Sequence, residues 1–245
     1  MNNKITKDLF NIKSNYPLYL VGGAVRDMLS GHEPKDIDLC MVAPSFEEME
    51  KEVVDLGGEI FVSKPEYLTI RCRMPVFGAV DIAMARVDGD YSDGRRPDFT
   101  MIADDIKADL SRRDFSVNAM ALNCNGGELI DPFNGYNDLQ NKILRCVGSA
   151  NERFQEDFLR MLRAIRFSIC KDYIIHPSIM NCLINIKMVK GLENVSEERI
   201  REEITKCFRH NTNATLRFLV LRTPDIADYI FEKTNLWLKP TSEKC

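Results

Sequence analysis

Two closely spaced aspartates, Asp36 and Asp38, are the residues of this sequence best suited to metal chemistry. The segment 36–42, DIDLCMV, alternates charged and apolar positions, which predicts a strand with both carboxylates on one face. Two anions at that spacing repel each other unless a cation lies between them, and hard oxygen ligands suit Mg²⁺. We therefore expect Asp36 and Asp38 to be catalytic and to bind Mg²⁺, although solvated aspartates at a strand end would give the same pattern.

A third carboxylate, Asp81, lies in AVDIAMAR, another predicted strand. A two-metal phosphoryl-transfer site could use such a group, so Asp81 is a further catalytic candidate. A strand residue that simply faces solvent is the alternative interpretation.

A pair of glycines separates a predicted strand from a predicted helix. The apolar run LYLV (18–21) ends at Gly22 and Gly23, and AVRDMLSG then carries helical spacing. Free backbone amides and the positive end of a helix dipole at such a turn can hold a triphosphate, with Arg26 one turn into the helix. We expect these three residues to bind nucleotide, and a purely structural turn is the alternative.

Paired arginines followed by an aspartate open the segment RRDFSVNAMAL (112–122). Arginine forks suit phosphate and ribose oxygens, which makes Arg113 and Asp114 candidates for nucleotide binding. A surface ion pair is the alternative fate of such a cluster.

Charged residues recur every three positions in EDFLRMLRAIRF (156–167), at Asp157, Arg160, Arg163 and Arg166. On a helix this spacing forms a charged band that winds slowly across one side. A carboxylate acceptor beside an arginine donor matches the edge that cytosine and adenine share, an amino donor next to a ring-nitrogen acceptor, and mismatches guanine and uracil. This predicts selection of C and A without a template, and a solvated helix face with an i,i+3 ion pair is the alternative.

The pattern around these residues changes along the chain. A helix with a serine N-cap is predicted over 45–58, and strands are predicted in GEIFV, YLTIRCRM and AVDIAMARV, followed by a polar loop at 88–98. After Pro132 helical periodicity dominates, including one helix through NERFQEDFLRMLRAIRFSIC (151–170). A domain boundary near residue 145 follows, between a mixed α and β region and a helical one.

Composition narrows the protein class. The 245 residues include no apolar run of about 18 that a membrane span needs, and the first residues lack a signal-peptide pattern. Eight scattered cysteines without a CxxC pair fit reduced thiols, so we expect a cytoplasmic protein with no membrane partner. Residues 1–150 carry a net charge of −7 and residues 151–245 carry +3, which favours a phosphate-rich partner for the second half. Three isolated histidines argue against a histidine metal site.

Five segments occur in the order of the motifs of one family: LVGGAVRDMLSG with KDIDL, RRDFSVNAMAL, ELIDPFNGYNDLQNKILRCVG, ERFQEDFLRMLRAIRF and VSEERIREE. From about residue 18 to 207 the chain resembles the class II tRNA nucleotidyltransferases (CCA-adding enzymes) and the related bacterial poly(A) polymerases. The resemblance implies an α+β fold. A polymerase β-like nucleotidyltransferase head domain, a mixed sheet with flanking helices, would occupy residues 1–145, and an all-helical neck domain residues 146–245.

The resemblance also implies roles for residues. The residues that match the family's metal ligands are Asp36 and Asp38. Those that match its nucleotide contacts are Gly23, Arg26, Arg113 and Asp114, with Arg163 and Arg166 as further contacts. The pair that matches its base-reading residues is Asp157 and Arg160. The loop around Arg95 and Arg96 resembles a family loop whose presence fits terminal A addition better than a CC-only enzyme.

The activity that the resemblance implies is addition of C and A from CTP and ATP to the 3′ end of tRNA, with Mg²⁺ as cofactor and release of pyrophosphate. A poly(A) polymerase is the nearest alternative, and a catalytically silent RNA-binding module is a third. After residue 207 only 38 residues remain, so we expect the helical body and tail domains to be missing. A homo-oligomer or a helper protein would then supply the missing surface for tRNA.

Overall fold

The computed structural model of the chain describes residues 12–75, 77–91 and 97–233. The described residues divide into two compact units. The first contains residues 12–75, 77–90 and 97–148, and the second contains residues 149–233 together with Tyr91. The predicted domain boundary near residue 145 lies close to this division, and the assignment of head and neck domains to the two halves stays a prediction.

Within the described residues, seven strands of the first unit form one mixed sheet in the order β3-β4-β5-β2-β1-β8-β9. The pair β2 and β5 is parallel and the other neighbours are antiparallel. The strands are β1 (Leu18–Val21), β2 (Asp38–Met41), β3 (Glu59–Lys64), β4 (Thr69–Met74), β5 (Gly78–Met84), β8 (Ala121–Asn123) and β9 (Leu129–Ile130).

Shorter strands and four helices complete the described part of the first unit. Strands β6 (Arg86–Asp88) and β7 (Thr100–Ile102) pair as an antiparallel ribbon, and β10 spans Ile143–Leu144. The helices are α1 (Gly23–Leu29), α2 (Phe46–Asp55), α3 (Ile106–Ser111) and α4 (Gly135–Gln140), with a 3₁₀ turn at Ser116–Asn118.

Local patterns explain several of these elements. The predicted helix after Ser45 is confirmed as α2, because the serine side chain accepts a hydrogen bond from the backbone amide of Glu48 at its N-terminus. The alternation of buried and exposed residues along β4 leaves Ile70 and Cys72 in the core and turns Arg71 and Arg73 outward. One face of the sheet is thus apolar and buried, while charged side chains stand on the other.

The second unit is built mainly from helices. They are α5 (Ala150–Glu156), α6 (Leu159–Lys171), α7 (Pro177–Leu183), α8 (Ile186–Lys190), α9 (Glu197–His210), α10 (Thr212–Arg222) and α11 (Pro224–Asp228), with a 3₁₀ turn at Gly191–Asn194 and a π-helical turn at Tyr229–Lys233. Helix α6 packs against α9, and Leu162, Ile165, Ile200 and Ile204 are fully buried on these two helices. The unit also contains the two-residue strand β11 (Ile174–Ile175), so it is not entirely helical.

Two sequence predictions about elements are wrong in detail. Strand β2 begins at Asp38, so Asp36 precedes the strand instead of lying within it. The single helix predicted over 151–170 is broken at Asp157, whose backbone is extended (φ −149°, ψ 103°). The break forms because the Asp157 carboxylate accepts a hydrogen bond from the amide of Leu159, which starts a new helix.

No helix among the residues that the structure describes is long and apolar enough to cross a membrane.

Candidate active site

The turn between β1 and α1 brings the backbone close to two charged side chains. Gly22 adopts φ +69° and ψ −133°, a conformation that residues with a Cβ rarely reach. A Cβ on this residue would lie 3.1 Å from Arg113 Nη1 and 3.9 Å from Asp38 Oδ2. The glycine therefore lets a cation and a carboxylate approach the end of β1 together.

The register of the sheet brings Asp38 and Asp81 side by side. Strands β2 and β5 run parallel, and these two residues are direct partners at the exposed start of β2. Desolvation of the carboxyl raises the pKa of Asp38, and the nearby anions Asp81 and Asp36 raise it further, while Arg113 acts in the opposite direction. The predicted third carboxylate, Asp81, is thus adjacent to Asp38.

Oxygen donors from three aspartates suit Mg²⁺. In the described parts of the chain, however, no three His, Cys, Asp or Glu side chains already stand close enough together to hold a metal ion. Binding of metal by Asp36 and Asp38 therefore stays a prediction, supported by the kind of donor and by the proximity of Asp38 to Asp81.

A buried carboxylate, Asp109, holds both arginines of the RRD segment. Its Oδ1 accepts hydrogen bonds from Nε and Nη2 of Arg112 at 3.0 and 2.7 Å, and its Oδ2 from the same atoms of Arg113 at 3.2 and 2.9 Å. Arg112 also forms an ion pair with Asp88 at 3.4 Å. The remaining nitrogen of Arg113, Nη1, donates to the carbonyl oxygen of Asn118 at 3.4 Å. The hydrogen bonds from Asp109 and Asn118 thus hold the Arg113 side chain beside Gly22.

The side chain of Asn118 joins two further predicted residues. Its Oδ1 accepts from Arg26 Nη1 at 2.6 Å, and its Nδ2 donates to Asp114 Oδ1 at 3.0 Å. Arg26 is buried and also donates to Asp27, while Asp114 accepts the amide of Phe115. Arg26 and Asp114 therefore support Asn118, whose backbone carbonyl oxygen accepts from Arg113, and direct nucleotide contact by either residue stays a prediction.

In the second unit, Asp157 is positioned by two hydrogen bonds. Its Oδ1 accepts the amide of Leu159 at 3.1 Å, and its Oδ2 accepts Arg199 Nη2 at 3.0 Å. Arg199 lies on α9, so packing of α6 against α9 brings a guanidinium to this carboxylate. The carboxylate is thus held in place and paired with a cation, and base reading by Asp157 stays a prediction.

The three arginines that follow lie on α6. Arg160 donates through Nη1 to Glu156 at 2.7 Å and to the carbonyl oxygen of Arg153 at 3.0 Å. Arg166 forms an ion pair with the buried Glu203, and Arg163 is partly exposed. The even charged band predicted from Asp157 onward is interrupted, because Asp157 precedes the helix. The predicted loop residues Arg95 and Arg96 lie outside the described part of the chain.

A family model described as the poly A polymerase head domain matches residues 18–145, which is more than half of the chain. The chain belongs to this family. The mixed sheet with flanking helices is accordingly the polymerase β-like nucleotidyltransferase head that the sequence predicted.

The chain is also similar to several CCA-adding enzymes. The CCA-adding enzyme of Oceanobacillus iheyensis is 36% identical over 200 residues, which are 81% of this chain and 47% of that protein. The solved structure of the Bacillus stearothermophilus CCA-adding enzyme in complex with CTP superimposes with a TM-score of 0.73 at 28% identity, over 89% of this chain and 51% of that one. For the Thermotoga maritima CCA-adding enzyme complexed with tRNA the TM-score is 0.72 at 32% identity, over 89% and 49%. The chain spans about half the length of the relatives it matches.

Three residues that hold predicted site residues in place were not predicted from the sequence. They are Asp109 and Asn118 in the first unit and, separately, Arg199 in the second. The first two lie within or just before the RRD segment, where an aspartate four residues ahead of an arginine on a helix is a weak ion-pair signal. Arg199 comes from a distant helix, and its pairing with Asp157 had no local signal.

Proposed function

We propose that this chain is a template-independent RNA nucleotidyltransferase that adds C and A, from CTP and ATP, to the 3′ end of tRNA and releases pyrophosphate. The observation that carries the proposal is the arrangement at the end of β1 and the start of β2, where Asp38 is paired with Asp81 across the sheet and lies close to Arg113. Its family membership and the CCA-adding enzymes that it resembles support the choice of reaction.

Asp36 and Asp38 are the proposed ligands of Mg²⁺, with Asp81 as a neighbouring carboxylate. The donor set fits, because carboxylate oxygens are hard ligands. A cation would also offset the desolvation and the repulsion by Asp81 and Asp36 that together raise the pKa of Asp38. Bound there, one Mg²⁺ ion would lower the pKa of the RNA 3′-hydroxyl for attack on the α-phosphorus, and a second would stabilise the pyrophosphate that leaves.

The chain's own residues have distinct tasks in this proposal. Arg113 binds the triphosphate, since its guanidinium is held at the end of β1 by Asp109 and next to Gly22, where no side chain blocks the approach. Asp157 and Arg160 read the base, with the carboxylate accepting from the amino group of C or A. Each carboxylate oxygen has a second lone pair, so the hydrogen bonds to Leu159 and Arg199 leave acceptor capacity.

A test of the reaction uses tRNA that lacks its 3′-terminal CCA. With CTP alone, ATP alone and both, a CCA-adding enzyme stops after a defined number of additions. A poly(A) polymerase, the second candidate because the matching family model carries that name, extends with ATP without a limit. A catalytically silent RNA-binding module adds no nucleotide under any condition.

The variants Asp36→Ala and Asp38→Ala test the metal assignment within that assay. We expect either change to abolish transfer while the melting temperature stays close to that of the unchanged protein, because both side chains are exposed and carry no packing role. The exposed Asp55 at the end of α2 provides the control, and Asp55→Ala should transfer normally. Substantial activity in either test variant with Mg²⁺ present would refute the assignment.

A further inference from the structure

The row of side chains that contains Asp38 and Asp81 continues onto a third strand. Arg71 in β4 is the direct partner of Asp81 in β5, and Asp81 is in turn the direct partner of Asp38 in β2. Paired residues of neighbouring strands point to the same face of a sheet, so the three side chains stand in one line on the exposed face. Arg71 Nε lies 3.5 Å from Asp81 Oδ1, and both side chains are 58% exposed.

The carboxylates therefore have a cation on each side. On one side, β1 ends at Gly22 with Arg113 next to it, and on the other side β5 is followed by β4 with Arg71. With strands about 4.8 Å apart, Arg71 and Asp38 start about 10 Å from each other across the sheet.

These two arginines differ in how they are held. Arg113 is bound through two nitrogens to a fully buried carboxylate, which keeps it in place. Arg71 has an exposed partner at 3.5 Å, and such surface ion pairs contribute little and exchange readily. Arg71 is thus free to take an incoming anion in place of Asp81, whereas Arg113 is a fixed element of the site.

Nucleotidyl transfer needs the attacking and leaving oxygens roughly in line with the phosphorus. If the triphosphate lies on the β1 side against Arg113, the acceptor strand has to arrive from the β5 and β4 side. An exposed cation on that side is Arg71, with Arg73 two residues further along the same strand and paired with Glu59.

We infer that Arg71 binds a backbone phosphate of the acceptor RNA close to its 3′ end, so that the outer strands of the sheet form the primer-strand surface. The inference rests on the proposed function, because it takes the nucleotide side from the assignment of Arg113. The phosphate replaces Asp81 as the partner of the guanidinium.

The test compares Arg71→Ala and Arg71→Lys with Lys51→Ala, which removes an exposed cation on α2 outside the row. Affinity for labelled tRNA lacking its CCA end is measured by fluorescence anisotropy over a series of salt concentrations. We expect Arg71→Ala to weaken binding about fivefold to tenfold and to reduce the slope of log K against log salt by about 0.7, the value for one single-strand phosphate contact. Arg71→Lys keeps the charge and should retain most of the affinity, and Lys51→Ala should bind as the unchanged protein does.

Steady-state kinetics on the same variants separate the two substrates. The KM for RNA should rise in Arg71→Ala while the KM values for CTP and ATP stay within about twofold. Unchanged RNA affinity and salt slope in Arg71→Ala, or an equal loss in Lys51→Ala, would overturn the inference. Because binding is measured without turnover, a protein that binds tRNA but transfers no nucleotide would refute the proposed function and still decide the role of Arg71.

Discussion

Replacing Asp109 by asparagine removes one negative charge from the centre of the head region with almost no change in shape. The carboxylate is fully buried and bridges Arg112 and Arg113, whose side chains are only 23% and 19% exposed. Removing one partner of a buried ion pair costs about 3 to 5 kcal/mol. Arg112 keeps its ion pair with Asp88, so we expect the lower end, about 3 kcal/mol. For a chain of this size that lowers the melting temperature by about 6 to 12 °C.

The pH dependence of the free energy of unfolding provides a second test of the Asp109→Asn prediction. Burial acts to raise the pKa of Asp109, but the two guanidinium groups outweigh it and hold the pKa below its ordinary value of 3.8. A carboxyl whose pKa is lowered by folding contributes stability above its unfolded pKa and loses it as the pH falls through the folded pKa. The stability difference between the unchanged protein and Asp109→Asn should therefore be constant near neutral pH and shrink below pH 3.8, as measured by denaturant titration.

Nucleotide kinetics distinguish a positioning role from a purely structural one. Once Asp109 no longer holds Arg113 at the end of β1, the KM for CTP should rise by about tenfold while kcat falls less. Glu52→Gln is the matched control, because Glu52 is also a buried carboxylate but binds Ser14 and Asn15 instead of an arginine of the site. That variant should lose stability with an unchanged KM. A stability loss under about 1 kcal/mol for Asp109→Asn, or equal KM values in both variants, would refute the reasoning.

Gly22→Ala puts a Cβ 3.1 Å from Arg113 Nη1 on a backbone with φ +69°. We expect the free energy of unfolding to fall by about 1 to 3 kcal/mol and kcat/KM for CTP to fall at least tenfold. Near-normal turnover would contradict the close approach at this turn. Asp157→Ala removes the acceptor that Leu159 and Arg199 use, and kcat/KM for CTP and ATP should fall about 5- to 150-fold while incorporation of UTP and GTP changes less or rises. A lower melting temperature with unchanged nucleotide preference would assign Asp157 a structural role only.

Short-range patterns in the sequence were enough for many elements of the fold. The turn at Gly22, the helix after Ser45 and the alternating strand around Arg71 each depend on residues within a few positions of one another. Helix and strand propensity, helix capping and the two-residue period of a strand all act over that distance. These three predictions are confirmed for that reason. The same local reasoning placed the start of β2 two residues early, because a strand begins where its neighbour pairs with it and not where alternation begins.

The site itself depended on contacts that no local pattern encodes. Asp81 reaches Asp38 through the parallel pairing of β2 with β5, and Arg71 joins the row through the pairing of β4 with β5. The local sequence around a charged residue that becomes buried, such as Asp109, does not differ from that around one that stays exposed to solvent. Strand order, register and the packing of side chains into a common interior set these contacts, since each depends on segments that are distant along the chain. The sequence alone therefore determined which residue types could do the chemistry, and the tertiary structure decided which of them stand together.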